Sequence, residues 1–135
     1  MASDTDADGD SGPDAEYLFK VQLYLDAEAP DVWLDPAITE TTMHKAAAEP
    51  GEDGWMFFRD NLWRGEINNY DHTRRLAEEA LGMEVRSIEF RELRASEAYY
   101  EALQDEIGDH LDAFKADDAA EVVKKYLGSR VHVRE

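Results

Sequence analysis

The sequence predicts an α+β fold: an antiparallel or mixed sheet of about four or five strands with helices packed on one face. Two observations carry this. Apolar residues alternate with polar ones early in the chain and recur at three- and four-residue steps late in it. The segments also fall in the order β, β, β, α, β, α, α, β, which suits a sheet covered on one side by helices.

The opening residues 1–16 carry six carboxylates and no base, the composition of a disordered acidic tail. Residues 17–135 are then expected to form a single domain with one modest core. Asp4 to Asp10 matches the first positions of a calcium loop, D-x-D-x-D-G, but Ala15 stands where the bidentate Glu is required and Glu16 comes one place late. A solvated tail is the better reading.

Tyr17, Phe19, Val21, Leu23 and Leu25 alternate as one face of a half-buried strand. Residues 38–47, rich in threonine, suggest a second strand, although their Met-His-Lys-Ala-Ala end also suits a helix. Pro50-Gly51 and Gly54 mark a turn, and a hairpin into a strand over residues 55–59 is expected. Because Trp55, Met56, Phe57 and Phe58 are apolar on both faces, that strand is expected at the sheet centre.

Asp71 is a candidate N-cap for a helix to Leu81, with Leu76, Ala77, Ala80 and Leu81 buried and Gly82 just past its end. Residues 83–93 form another strand whose apolar phase switches between Val85 and Ile88, the mark of a bulge near Ser87 or a strand start there. Ser96 caps a longer helix in which Tyr100, Leu103, Ile107, Leu111 and Phe114 share a face. Asp117 or Asp118 begins a last helix to Leu127, stopped by Gly128, and residues 131–134 return as an edge strand.

Composition narrows the setting. With 32 acids against 14 bases the formal charge is −18. Such self-repulsion weakens when the Debye length falls to about 3 Å at 1 M salt, so adaptation to molar salt is expected. The absence of cysteine excludes disulfides and thiolate chemistry. No apolar stretch reaches the roughly 18 residues of a membrane span, and the start lacks the basic and apolar regions of a signal peptide. A cytoplasmic protein is expected.

The chemistry concentrates in residues 55–66, which hold two of the three tryptophans and two of the five phenylalanines. Residues 55–94 carry seven arginines against eight acids, so nearly all the excess acidity lies elsewhere. Arg59, Asp60, Asn61, Trp63, Arg64, Glu66 and His72 are the candidate binding residues. Guanidinium groups beside tryptophan suit a small anionic ligand or a protein partner. A purely structural account competes: Asp60 pairing with Arg64, Trp63 filling the core and Gly65 supplying a positive φ.

Phe57-Phe58-Arg59-Asp60-Asn61-Leu62-Trp63-Arg64-Gly65-Glu66 resembles the signature of the LWR-salt proteins, small haloarchaeal proteins named for the Leu-Trp-Arg that stands here at 62–64. The resemblance implies a halophilic cytoplasm and a special role for residues 57–66. It transfers no activity, cofactor or catalytic residue.

No pattern names a reaction. The four histidines form no paired metal motif, and no P-loop, G-x-S-x-G or dinucleotide fingerprint occurs. Hence no catalytic residue, metal or cofactor is assigned. A non-catalytic binding module is expected. The alternatives are a small enzyme with a carboxylate and arginine site around residues 59–72, or a single-stranded nucleic acid binder. Phosphate contacts fade at molar salt, which disfavours nucleic acid. Oligomeric state is open, since residues 131–133 could pair with a second copy.

Overall fold

A computed structural model describes residues 14–134. The expected acidic tail and the calcium-like run at residues 4–10 lie outside the described residues, apart from Asp14, Ala15 and Glu16. The first strand, β1 (Ala15–Tyr24), begins two residues ahead of its expected start. It pairs antiparallel with β2 (Ile38–Ala46), Phe19 opposite Met43, and on its other edge antiparallel with β5 (Val85–Ser96), Val21 opposite Ile88. The last strand, β6 (Val131–Arg134), runs parallel to β5, giving a four-stranded mixed sheet of order β2-β1-β5-β6.

Tyr17, Phe19, Val21 and Leu23 are buried on the helix-covered face together with Val85, Ile88, Phe90 and Leu93 of β5. Those β5 residues change parity twice. The ladder explains both changes, because the register slips between Leu18 and Phe19, leaving Arg91 unpaired, and again between Gln22 and Leu23, leaving Arg86 unpaired. Each extra residue turns the strand over once. The expected bulge near Ser87 is therefore at Arg86.

The strand expected at residues 55–59 does not form. A turn leads into the short helix α1 (Phe57–Asn61), followed by two-residue strands β3 (Leu62–Trp63) and β4 (Glu66–Ile67) in a sheet of their own. Trp55, Phe58 and Leu62 are all buried, and their spacing of three and four is helical. A strand would have sent Trp55 and Phe58 to opposite faces. Phe58 stacks on Phe114 at 5.7 Å between centroids, with Trp55 and Tyr126 edge-on to both rings.

Helix α2 (Tyr70–Leu81) is capped by Asn69, whose side chain accepts from the His72 N–H, two residues before the expected Asp71; Gly82 ends it with φ +68°. Its buried residues are Thr73 and Ala77, whereas Leu76 and Ala80 are exposed and Leu81 is half-buried. The expected stripe is rotated because Arg74 and Glu78 tie the helix to β5: Arg74 donates to the Val85 carbonyl at 3.1 Å, and the Glu78 carboxylate accepts from Arg74 and from the Val85 N–H, each at 2.9 Å.

Ser96 caps α3 (Glu97–Gly108) as expected, but the helix breaks after Gly108 and resumes as the single turn α4 (Leu111–Phe114). Asp118 caps α5 (Ala119–Leu127), and Gly128 follows its last residue. Two tyrosines, Tyr99 of α3 and Tyr17 of β1, are buried. Burial pushes the Tyr99 hydroxyl up to about 12, with Glu49 adding to the rise, and it donates to the Ala48 carbonyl at 2.6 Å. Burial raises Tyr17 further, with the neighbouring Tyr99 contributing.

Candidate functional site

The hairpin β3–β4 turns through Arg64 and Gly65, with Trp63 opposite Glu66. Both turn residues have positive φ, +53° and +83°, as a two-residue type I′ connection requires. The turn docks on the end of α5: the Arg64 N–H donates to the Lys125 carbonyl at 2.8 Å and the Gly65 N–H to the Tyr126 carbonyl at 2.9 Å. A helix leaves its last carbonyls without internal partners, so the hairpin supplies what α5 lacks. The approach is close. A Cβ on Gly65 would stand 3.0 Å from the Leu127 carbonyl oxygen, and one on Gly128 would stand 3.1 Å from that of Arg64.

Backbone and side chains thus divide the work of this segment. Phe58 and Leu62 point into the core with no exposed surface. Trp63 does not fill the core: it is 42% exposed and leans edge-on against Tyr126 at 5.7 Å. Arg64 does not pair with Asp60, since Asp60 accepts from its neighbour Arg59 at 3.0 and 3.1 Å. The Arg64 guanidinium lies 5.7 Å from the centre of the Trp63 ring, exposed. The purely structural account therefore survives for the backbone, Gly65 included, and fails for these two side chains.

Trp63 and Arg64 border an open hollow of about 960 Å³ that is also lined by Tyr100, Val123, Lys124 and Ser129. Lys125 lies at the same rim, its ammonium donating to the Phe114 carbonyl at 3.0 Å and standing 5.9 Å from the Trp63 ring. Three of the fourteen bases meet here with one carboxylate, Glu121. In a chain so acidic that is a local reversal of sign, beside an aromatic surface.

The seven candidate residues do not converge. Asp60, Asn61 and His72 line a second hollow of about 710 Å³, over Phe19, Met43, Phe57 and Leu76. There the Asn61 side chain donates to the Phe57 carbonyl, and His72 is exposed in the first turn of α2. Glu66 borders a third recess beside Tyr70 and Arg130. A site joining an arginine, a carboxylate and His72 by hydrogen bonds is not formed among the described residues. Nor does any group of three or more histidines and acids there suit a metal ion.

Tyr100, Lys124, Lys125 and Ser129 escaped sequence reasoning. One signal was available: Lys124-Lys125 is the chain's single pair of adjacent lysines. No helix among the described residues is long and apolar enough to cross a membrane.

The model of the family described as LWR-salt protein matches residues 13–135. No curated protein and no solved structure matches the chain.

Proposed function

The chain belongs to the LWR-salt protein family, and from that premise we propose that it is a non-catalytic binding module of a halophilic cytoplasm, whose Trp63–Arg64 surface takes a small anionic ligand. The observation that carries this reading is the conformation of Arg64. A residue with a Cβ at φ +53° sits in the left-handed region at a cost of about 1 kcal/mol, and Gly or Asn would hold the same turn more cheaply. The arginine side chain at that position is left exposed, beside a half-exposed tryptophan and above a concave surface. A strained residue with an exposed functional group points to a role for the group.

The setting fits. At 1 M salt, charges more than about 3 Å from the ligand are screened, so recognition depends on direct contact. A guanidinium binds carboxylate or phosphate through two parallel hydrogen bonds, and Trp63, Tyr100 and Val123 offer apolar surface that salt does not screen. The hollow is of the size that small ligands occupy.

The test is a thermal melt in molar KCl with phosphate, pyrophosphate and citrate as probes, for the wild type and for Arg64→Gly. Glycine keeps the turn and removes the guanidinium. We expect at least one anion to raise the wild-type midpoint, and Arg64→Gly to keep its own midpoint without that response. An unchanged response in Arg64→Gly, or none in the wild type, refutes the reading.

A further inference from the structure

The two edges of the sheet differ. β6 has four residues, whereas β2 has nine, pairs with β1 without any register shift, and contains neither proline nor bulge. Thr39–Thr42 and His44–Ala46 are exposed. An edge strand of this kind presents a row of unpaired N–H and C=O groups, which proteins normally blunt by shortness, proline, bulges or charge. Lys45 is the one lysine in β2, near its end, with its ammonium over the Phe57 ring at 5.1 Å.

We propose that β2 pairs antiparallel with β2 of a second copy of this chain, about a two-fold axis at Thr42, joining two four-stranded sheets into one of eight. A two-fold axis perpendicular to a sheet places same-face residues opposite one another. The register that overlaps all nine residues sets Thr42 opposite itself, Thr41 opposite Met43, Glu40 opposite His44 and Thr39 opposite Lys45. Glu40 and His44 already share the polar face, where Glu40 accepts from Gln22 and His44 contacts Glu16. Each carboxylate therefore meets an imidazole, and no like charges face each other. Sliding the pairing until Glu40 lies opposite Glu40 sets carboxylate against carboxylate, and sliding it the other way sets His44 against His44. The central register is the one that both overlaps all nine residues and sets Glu40 opposite His44.

The same operation gives a place to the apolar tip of the β1–β2 loop. Val32, Trp33 and Leu34 are exposed, Trp33 by 79%. The loop lies at the Ile38 end of β2, so the two-fold sets it beside the Ala46 end of the second copy.

The absence of native cysteine makes the test clean. In molar KCl, sedimentation velocity should show the wild type at twice the 15.4 kDa chain mass. Thr42→Lys sets two ammonium groups against each other at the axis and should raise the dissociation constant at least tenfold without changing the circular dichroism spectrum. On mild oxidation Thr42→Cys should form a disulfide-linked dimer, because facing residues of antiparallel strands lie within disulfide reach, while His132→Cys on β6 should not. A wild type at single-chain mass up to the highest concentration, a dimer indifferent to Thr42→Lys, or crosslinking through His132→Cys and not Thr42→Cys overturns the proposal.

Discussion

Gly65→Ala tests the clamp between the hairpin and α5. Alanine at φ +83° costs about 1–2 kcal/mol from the left-handed backbone. Its Cβ would also stand 3.0 Å from the Leu127 carbonyl oxygen and 3.2 Å from the Arg130 side chain. The oxygen is helix backbone and cannot swing away, so the turn must withdraw, weakening the two hydrogen bonds at 2.8 and 2.9 Å. At about 0.5–1.5 kcal/mol each, their loss adds about 1–3 kcal/mol. Gly82→Ala is the control: it has φ +68° with nothing within 4 Å, so it carries the backbone strain and the unfolded-chain entropy change without the contact. Urea denaturation in molar KCl should place Gly65→Ala about 1–3 kcal/mol below Gly82→Ala. Equal losses would show that the turn is not held against α5.

Phe58→Ala removes a ring packed against Trp55, Phe114 and Tyr126 with no exposed surface, and should cost about 3–5 kcal/mol in the same assay. Glu78→Ala strips the partner from both Arg74 and the Val85 N–H; a loss of about 2 kcal/mol is expected, with Glu78→Gln losing less. Tyr99 and Tyr17 have folded pKa values raised above the ordinary 10, so between the unfolded and folded values the native state holds more protons than the unfolded chain. Stability is therefore full below pH 10 and falls as pH rises from about 10 toward 12, by up to about 1.4 kcal/mol per unit for each of the two. Urea titrations at a series of alkaline pH values check this, and a flat profile from pH 9 to 11 would contradict it.

The four strands that form the main sheet were legible because their signals are local. The alternation in β1 and the change of phase between Val85 and Ile88 in β5 follow from a period of two, whereas the second slip, at Arg91, shows only in the ladder; the end of α2 and both ends of α5 follow from the capping chemistry of Gly82, Asp118 and Gly128. Residues 55–59 fold otherwise than expected because four consecutive apolar residues satisfy a buried strand and a short helix equally. The spacing of Trp55, Phe58 and Leu62 decides between them only once all three are known to be buried. The face of α2 was misjudged because Arg74 and Glu78 bond to a strand that hydrophobicity does not register. For the candidate site, Trp63, Arg64 and Gly65 could be singled out from the chain. That Lys124, Lys125 and Ser129 complete the hollow depends on the docking of the hairpin against a helix sixty residues away, which no local pattern encodes.

That separation bears on how the molecule is made. When the hairpin leaves the ribosome, the carbonyls of Lys125 and Tyr126 that anchor it have not been synthesised, nor have Phe114 and Tyr126, which cover Phe58. The most aromatic stretch of the chain must wait uncovered until those later residues follow, and transiently exposed apolar surface is prone to aggregate. The carboxylates translated before it give the waiting chain a net negative charge, which opposes contact between neighbouring nascent chains until α5 closes over the ring cluster.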